Sequence, residues 1–192
     1  MDALVMCGGR GTRLDADREK PLVRVGGRPM VDRVVEALSA CGVDGTYAVV
    51  SSHTPETAAH LDGTVPIVET PGEGYVADLR TALADDRVDR PTLTVAADLP
   101  LLSGAVVDRV CDAHEGGSLT VAVPVERKRA LGVSRDTTFE RDGRELAPTG
   151  VNVVGDDAET TLVVDDERLA VNVNRPGDVA VAERLLASFE SE

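Results

Sequence analysis

The sequence has no Trp and only two Tyr and two Phe, so it offers no run of aromatic faces on which the bases of a single strand could stack. Its core must be built from Val, Leu and Ala. Basic residues are scarce as well: Lys and Arg total 20 against 34 Asp and Glu, for a formal net charge of -14 at pH 7. That balance is the opposite of the basic footprint that phosphate backbones select, and it excludes polymeric nucleic acid and anionic membrane surfaces as partners. Cysteine is sparse, with Cys7, Cys41 and Cys111 far apart, no Cys-x-x-Cys pair and no His at ligand spacing. Neither a zinc site nor a disulfide framework is implied, and a reducing compartment is. Long apolar runs are missing too. Ala3 to Cys7 is short of the ~18 residues of a membrane span, and Asp2 stands where a signal peptide carries basic residues. The expectation is a cytoplasmic protein.

Lysine is the rarest basic residue, present only as Lys20 and Lys128. Such an acidic, lysine-poor surface resembles that of proteins from salt-loving organisms, in which molar salt shortens the Debye length to ~3 Å and screens self-repulsion. Folding and activity are expected to need high salt. With 192 residues and 42% hydrophobic content, the chain has enough apolar material for one domain over residues 1–192.

Short Val-rich runs alternate with helical patterns, the sequence signature of βαβ units and a largely parallel sheet. Strands are expected at Ala3 to Cys7, Tyr47 to Val50, Val65 to Val68, Thr92 to Ala97 and Leu119 to Val125. Between them, Val31, Val34, Val35 and Leu38 recur at helical spacing and stop at Gly42, read as a left-handed helix closure. Pro55 to Leu61 reads as a short helix, and Val76, Leu79 and Leu83 as the apolar face of another. Ser103 is a candidate N-cap for a helix carrying Val106, Val107, Val110 and Cys111. Residues Glu126 to Glu145 are charged and nearly coreless, an excursion with a hairpin turn expected at Asp142-Gly143. Strand-like Val151 to Val154, Thr161 to Val164 and Leu169 to Asn172 follow, then a helix from Pro176. The fold class is α/β, a three-layer α/β/α sandwich with a mostly parallel sheet and a β insertion in its second half.

The strongest local signal follows the first strand: Gly8-Gly9-Arg10-Gly11-Thr12-Arg13, then Lys20-Pro21-Leu22. Glycines let backbone N–H groups converge on phosphate oxygens where a β-carbon would block the approach, and a loop at a strand's carboxyl end opens onto the ligand crevice of α/β sheets. Arg13 and Lys20 add positive charge there. The spacing matches neither a P-loop nor a Gly-x-Gly-x-x-Gly dinucleotide site. Asp98 ends an apolar strand facing the same crevice, where it can hold a metal or form a turn before Pro100. Gly72 and Gly74 precede a helix whose N–H groups favour an anion, and Gly150 offers a second close backbone approach. Ser51, Ser52, His53 and Thr54 lie where loops read a base, or serve as a helix cap. Asn172 and Asn174 can orient a metal or phosphate, or satisfy backbone. His53, His60 and His114 form no constellation with a nucleophile, so covalent hydrolase chemistry has no support.

The opening Leu4-x-x-x-Gly8-Gly9-x-Gly11-x-Arg13 with Lys20-Pro21-Leu22 resembles the signature of the nucleotidyltransferase superfamily that includes sugar-nucleotide pyrophosphorylases and molybdenum-cofactor guanylyltransferases. Later segments are similar to the archaeal GTP:adenosylcobinamide-phosphate guanylyltransferases: Gly72-Glu73-Gly74-Tyr75 with Asp78-Leu79, Asp98-Leu99, Pro148 to Val154, and Asn172-Val173-Asn174 running into Asp178. Cys7 stands where Ala is expected before the Gly pair. The resemblance implies a Rossmann-like nucleotidyltransferase fold and transfer of GMP from GTP to adenosylcobinamide phosphate with release of pyrophosphate. Gly8, Gly9, Gly11, Thr12, Ser51, Gly72 and Gly74 are then expected as nucleotide contacts, Gly150 as a contact of the nucleotide or the acceptor, and Arg13, Lys20 and Asp98 as catalytic residues. Mg²⁺ would lie on Asp98, with Asn172 beside it. The expected partners are GTP and the corrinoid phosphate, with Val- and Ala-rich edge strands compatible with a homodimer. Molybdopterin or a sugar phosphate as acceptor, and a nucleotide-binding module without turnover, are the alternatives.

Overall fold

The computed structural model describes residues 1–9, 11–14, 16–156 and 158–191. In chain order, β1 (Asp2–Met6) leads through the Gly loop and a 3₁₀ turn (Lys20–Leu22) to a small hairpin, β2 (Arg24–Val25) and β3 (Arg28–Pro29). Then come α1 (Met30–Ser39), β4 (Thr46–Ser51), α2 (Pro55–Leu61), β5 (Ile67–Thr70), α3 (Tyr75–Ala82), β6 (Thr92–Ala96) and α4 (Gly104–Asp112). The second half holds β7 (Ser118–Pro124), α5 (Val125–Leu131), β8 (Phe139–Arg141), β9 (Arg144–Val154), β10 (Glu159–Val163), α6 (Glu167–Ala170) and α7 (Pro176–Phe189).

The main sheet runs β5-β4-β1-β6-β9-β7-β10. Every ladder in it is parallel except those of β9, which is antiparallel to both β6 and β7, and β8 pairs with β9 beyond the end of β6. Period-two alternation along β1 explains the layers. Ala3, Val5 and Cys7 enter the larger core with Val31, Val34 and Leu38 of α1 and Val106, Val107 and Val110 of α4. Leu4 faces the other way, packing with Val49, Val68 and Ala82 of α3. A third cluster seats Val181 and Ala182 of α7 against Leu14, Val25, Val171 and Val173. The result is the expected α/β/α arrangement, with helices on both faces of a mostly parallel sheet.

Several local expectations are corrected. The α1 helix ends at Ser39 and Gly42 is not left-handed; its N–H is held instead by Asp108 Oδ1 at 2.9 Å. Val76 is 60% exposed, because α3 turns Asp78 and Ala82 inward and spends the Asp78 carboxylate on the Gly72 N–H at 2.9 Å. Segment 126–145 is not coreless: α5 buries Val125 and Lys128, and Val133 is buried beyond it. Its hairpin does turn at Asp142-Gly143, with both residues at positive φ as a two-residue turn requires. Leu169–Ala170 close a short helix rather than a strand, and Val171 to Asn174 continue without a ladder.

Candidate active site

The Gly loop is shaped by what crowds it. The Gly8 carbonyl accepts from Ser51 Oγ at 2.9 Å, and a Cβ on Gly8 would meet Asp78 Oδ2 and Ser51 Cβ at 3.3 Å. Gly9 has nothing within 4 Å of such a Cβ and lines the cavity described below. Gly11, at φ +61°, has a different constraint: a Cβ there would lie 2.6 Å from Lys20 Cβ. The loop thus folds back until it touches the stem of Lys20. That lysine is fastened from its other side by Glu19, whose carboxylate accepts from the N–H groups of Glu56 and Thr57 at 2.8 and 2.7 Å, and from Thr57 Oγ1. An anion at the first turn of α2 matches the helix dipole and satisfies its orphan donors. Glu19 is a positioning residue that the sequence reading missed.

Asp98 lies just beyond the end of β6 and is the hub of the site. Lys20 Nζ donates to Asp98 Oδ2 and, at 2.7 Å, to Asn174 Oδ1. Asn172 Nδ2 donates to Asp98 Oδ1 at 3.1 Å and to the Thr149 carbonyl at 2.8 Å. Asn172 Oδ1 in turn accepts from Lys128 Nζ at 3.0 Å, and Lys128 also donates to the Ala170 carbonyl at 2.8 Å. Burial pulls the Lys128 ammonium below the usual lysine range, while the carboxylates of Asp98, Asp178 and Asp136 push it the other way. The backbone joins in: Val173 N donates to the Asp98 carbonyl at 3.0 Å. Asp178 gathers the N–H groups of Asn174 and Arg175, and both the N–H and the hydroxyl of Ser134.

Two cavities meet at Asp98. The first, about 520 Å³, is lined by Gly8, Gly9, Lys20, His53, the Gly72 to Tyr75 turn, Asp78 and Asp98. The second, about 450 Å³, is lined by Arg13, Lys128, the 134–137 loop, Gly150, Asn152, Asn172 and Asn174, and it shares Tyr75, Ala96 and Asp98 with the first. A smaller one of about 310 Å³ under Gly9, Gly11, Thr12, Arg13 and Lys20 joins them. Gly150, which lines the second cavity, packs closely against Ala96: at φ +82° its Cβ would come within 2.8 Å of Ala96 Cβ. Paired residues Thr94, Asn152, Thr120 and Thr161 form one polar row across four strands; the Tyr75 hydroxyl lies 3.5 Å from Thr94 Oγ1, Thr120 Oγ1 donates to Glu159 Oε1 at 3.1 Å, and Arg141 donates to Thr161 Oγ1.

The expected residues therefore converge, with exceptions. Arg10 lies outside the described residues. Arg13 reaches Asp136 Oδ2 at 3.0 Å, and Arg175 holds the other oxygen at 2.6 Å. Burial works against ionisation of Asp136, yet these two guanidiniums keep its carboxyl below the usual range. Ser51 is buried behind the loop with its hydroxyl committed to the Gly8 carbonyl and the His53 N–H, so it braces the loop. Thr54 occupies the N-cap of α2 without capping it; its Oγ1 bonds Ser51 instead. Asn172, expected as a metal ligand, has its amide oxygen on Lys128 and its amide nitrogen on Asp98, so it positions Asp98. Lys128 was missed, although the rarity that singled out Lys20 applied equally to it.

Among the described residues no cluster of three or more His, Cys, Asp or Glu forms a metal cage. One carboxylate where two cavities meet fits a Mg²⁺ that keeps waters and shares substrate phosphates, as that ion prefers.

Residues 3–141 match the profile of the MobA-like NTP transferase domain. The chain belongs to that family. A full-length relative, the adenosylcobinamide-phosphate guanylyltransferase of Methanocaldococcus jannaschii, is 30% identical over 97% of both chains. The bifunctional protein GlmU of Maricaulis maris is 37% identical over 72% of this chain, but only 31% of that longer protein is covered. A nucleotidyl transferase from Methanothermobacter superposes with a TM-score of 0.67 over 97% of this chain and 98% of its own, at 18% identity, which speaks for the fold alone. Among the described residues no helix is long and apolar enough to cross a membrane.

Proposed function

We propose that the enzyme transfers GMP from GTP to adenosylcobinamide phosphate, releasing pyrophosphate, as a cytoplasmic step in cobamide nucleotide-loop assembly. The observation that carries this reading is the match, from end to end of both chains, to the Methanocaldococcus guanylyltransferase. The geometry is compatible with it. The triphosphate would lie on the backbone of Gly8, Gly9, Gly11 and Thr12, with Arg13 and Lys20 supplying charge, and the nucleoside would extend toward Gly72, Gly74 and His53. Asp98 would hold Mg²⁺, which when bound neutralises charge on the phosphates.

In the step itself an oxygen of the acceptor's phosphate attacks the α-phosphorus of GTP in line. The new P–O bond forms as the bridge to the β-phosphorus breaks, and that electron pair leaves with pyrophosphate. A phosphate nucleophile is already ionised at pH 7, so no general base is needed. Catalysis rests on positioning and charge: Lys20 stands between Asp98 and the triphosphate cavity, and Gly150 leaves the acceptor a path to Asp98. A homodimer is proposed on the edge strand β10, whose Val163 is 39% exposed; light scattering of the purified protein tests it.

Transfer to molybdopterin or a sugar phosphate is the second reading, supported by the MobA-like domain match and by the likeness to GlmU over 72% of the chain. Pyrophosphate release separates the two. With Mg²⁺ in molar KCl, release from GTP but not ATP, CTP or UTP, dependent on adenosylcobinamide phosphate, is expected. Release that needs a sugar phosphate or molybdopterin instead would move the enzyme to the second reading.

A further inference from the structure

The second cavity is cationic in a protein of net charge -14. Arg13, Lys128 and Arg135 line it against Asp98 and Asp136, and Asp98 is already matched by Lys20. Lys128 is the unusual member. It is 4% exposed, yet among the described residues no carboxylate forms an ion pair with it; its nitrogen meets two neutral oxygens, those of Ala170 and Asn172. An ammonium carries three N–H donors, and a buried cation without a counter-ion is costly. One donor and the whole charge remain to be answered from the cavity that Lys128 lines. Arg135 stands exposed on the same wall, and among the described residues no ion pair claims its guanidinium.

We propose that the second cavity is the subsite for the acceptor's phosphate monoester, held by Lys128 at its floor and Arg135 at its rim. The inference rests on the nucleotidyl-transfer reading above and adds the residues that receive the second substrate. Its physical need is plain: a phosphate dianion must be brought beside a triphosphate, and like charges at that distance repel unless cations stand between and around them. Lys128 and Lys20 flank Asp98 from the two cavities, so an anion on Lys128 would face the triphosphate across that carboxylate. A compact, three-donor ammonium suits a tetrahedral phosphate anchored by one oxygen, and a guanidinium at the rim can take two more.

The test is calorimetric titration of inorganic phosphate into protein saturated with Mg²⁺ and the non-transferable analogue α,β-methylene-GTP. Wild type should bind one phosphate; Lys128→Met and Arg135→Ala should each weaken it tenfold or more, and Arg135→Ala, outside the lining of the first cavity, should change the affinity for the analogue less than twofold. Arg135 is on the surface, so its variant keeps the test open if Lys128→Met does not fold. In turnover assays Arg135→Ala should raise KM for the acceptor and leave KM for GTP alone. Phosphate binding untouched by both substitutions, or absent from wild type, overturns the proposal, as does an equal change in both KM values. If phosphate binds as expected but no guanylyl transfer to adenosylcobinamide phosphate occurs, the subsite stands and the acceptor's identity falls.

Discussion

Lys20 and Lys128, the two lysines of the chain, flank one carboxylate: Lys20 reaches Asp98 Oδ2 directly, and Lys128 reaches Oδ1 through the carboxamide of Asn172. Every other basic residue is Arg, and several of those serve surface ion pairs such as Arg87 with Asp85 and Arg127 with Asp165. On the proposed reading, both lysines set a compact charge next to a phosphate.

Lys20→Ala should lower turnover by roughly 10²–10³-fold, the usual cost of removing one charged donor from a site of developing charge. Thermal melting should move little, because the Lys20 stem is replaceable while Pro21 and Leu22 still anchor the turn. Pyrophosphate release and a melting curve on the same preparation check both halves. Turnover within a few-fold of wild type would remove Lys20 from the mechanism.

Gly11→Ala should harm activity more than a surface glycine substitution usually does. The new Cβ must find room at 2.6 Å from Lys20 Cβ in a left-handed backbone, which costs about 1–2 kcal/mol and displaces the lysine. Gly9→Ala, with open space on that side, should be milder in stability and act mainly on nucleotide affinity. Equal effects of the two on melting and on KM for GTP would contradict this account of the loop.

Much of the site was legible in sequence because Gly8, Gly9, Gly11 and Lys20 lie close together, where spacing and chemistry can be read at once. The parallel strands were legible as Val-rich runs buried on both faces. The rest depends on contacts that pattern does not carry. Glu19 caps a helix that begins 36 residues later, Asp136 pairs with arginines from both ends of the chain, and Lys128 sits in a segment so charged that it reads as exposed. Leu169 to Asn172 alternates like a strand, yet the short helix there is set by Asp166, whose side chain caps it at the Arg168 N–H.

Asp136 should make the link between Arg13 and Arg175 sensitive to acid. Its folded carboxyl titrates below the ordinary value of 3.8, so its stabilisation is present above 3.8 and is lost as pH falls through the folded pKa. At neutral pH, Asp136→Asn should be less stable than wild type by under about 1 kcal/mol, because both guanidiniums are largely exposed and screened. Urea melts from pH 7 down to pH 3 should show the difference closing in acid. A difference that widens toward low pH would contradict the assignment.

Cys7 should be inert. Burial pushes its thiol up to about 12, leaving on the order of one molecule in 10⁴ as thiolate at pH 8. A thiol-exchange titration should modify Cys41 and Cys111 slowly in the native protein, since both are half-buried, and Cys7 only after denaturation. Rapid native labelling of Cys7, located by peptide mass, would show that the first strand opens.

The excess of 34 acidic over 20 basic residues should make stability depend on salt. Raising KCl from 0.1 M to about 3 M shortens the Debye length from ~10 Å to a few Å or less and should raise the melting temperature markedly. An unchanged melting temperature would contradict a salt-adapted surface.

The central claim is guanylyl transfer, and its most direct measurement is the mass of the product. The enzyme would be given GTP, Mg²⁺ and adenosylcobinamide phosphate whose phosphate oxygens carry ¹⁸O, in molar KCl. The account predicts a corrinoid heavier by one guanylyl group, with the label retained in the product and none in pyrophosphate. An unmodified corrinoid, with protein shown to be folded and GTP bound, would contradict it.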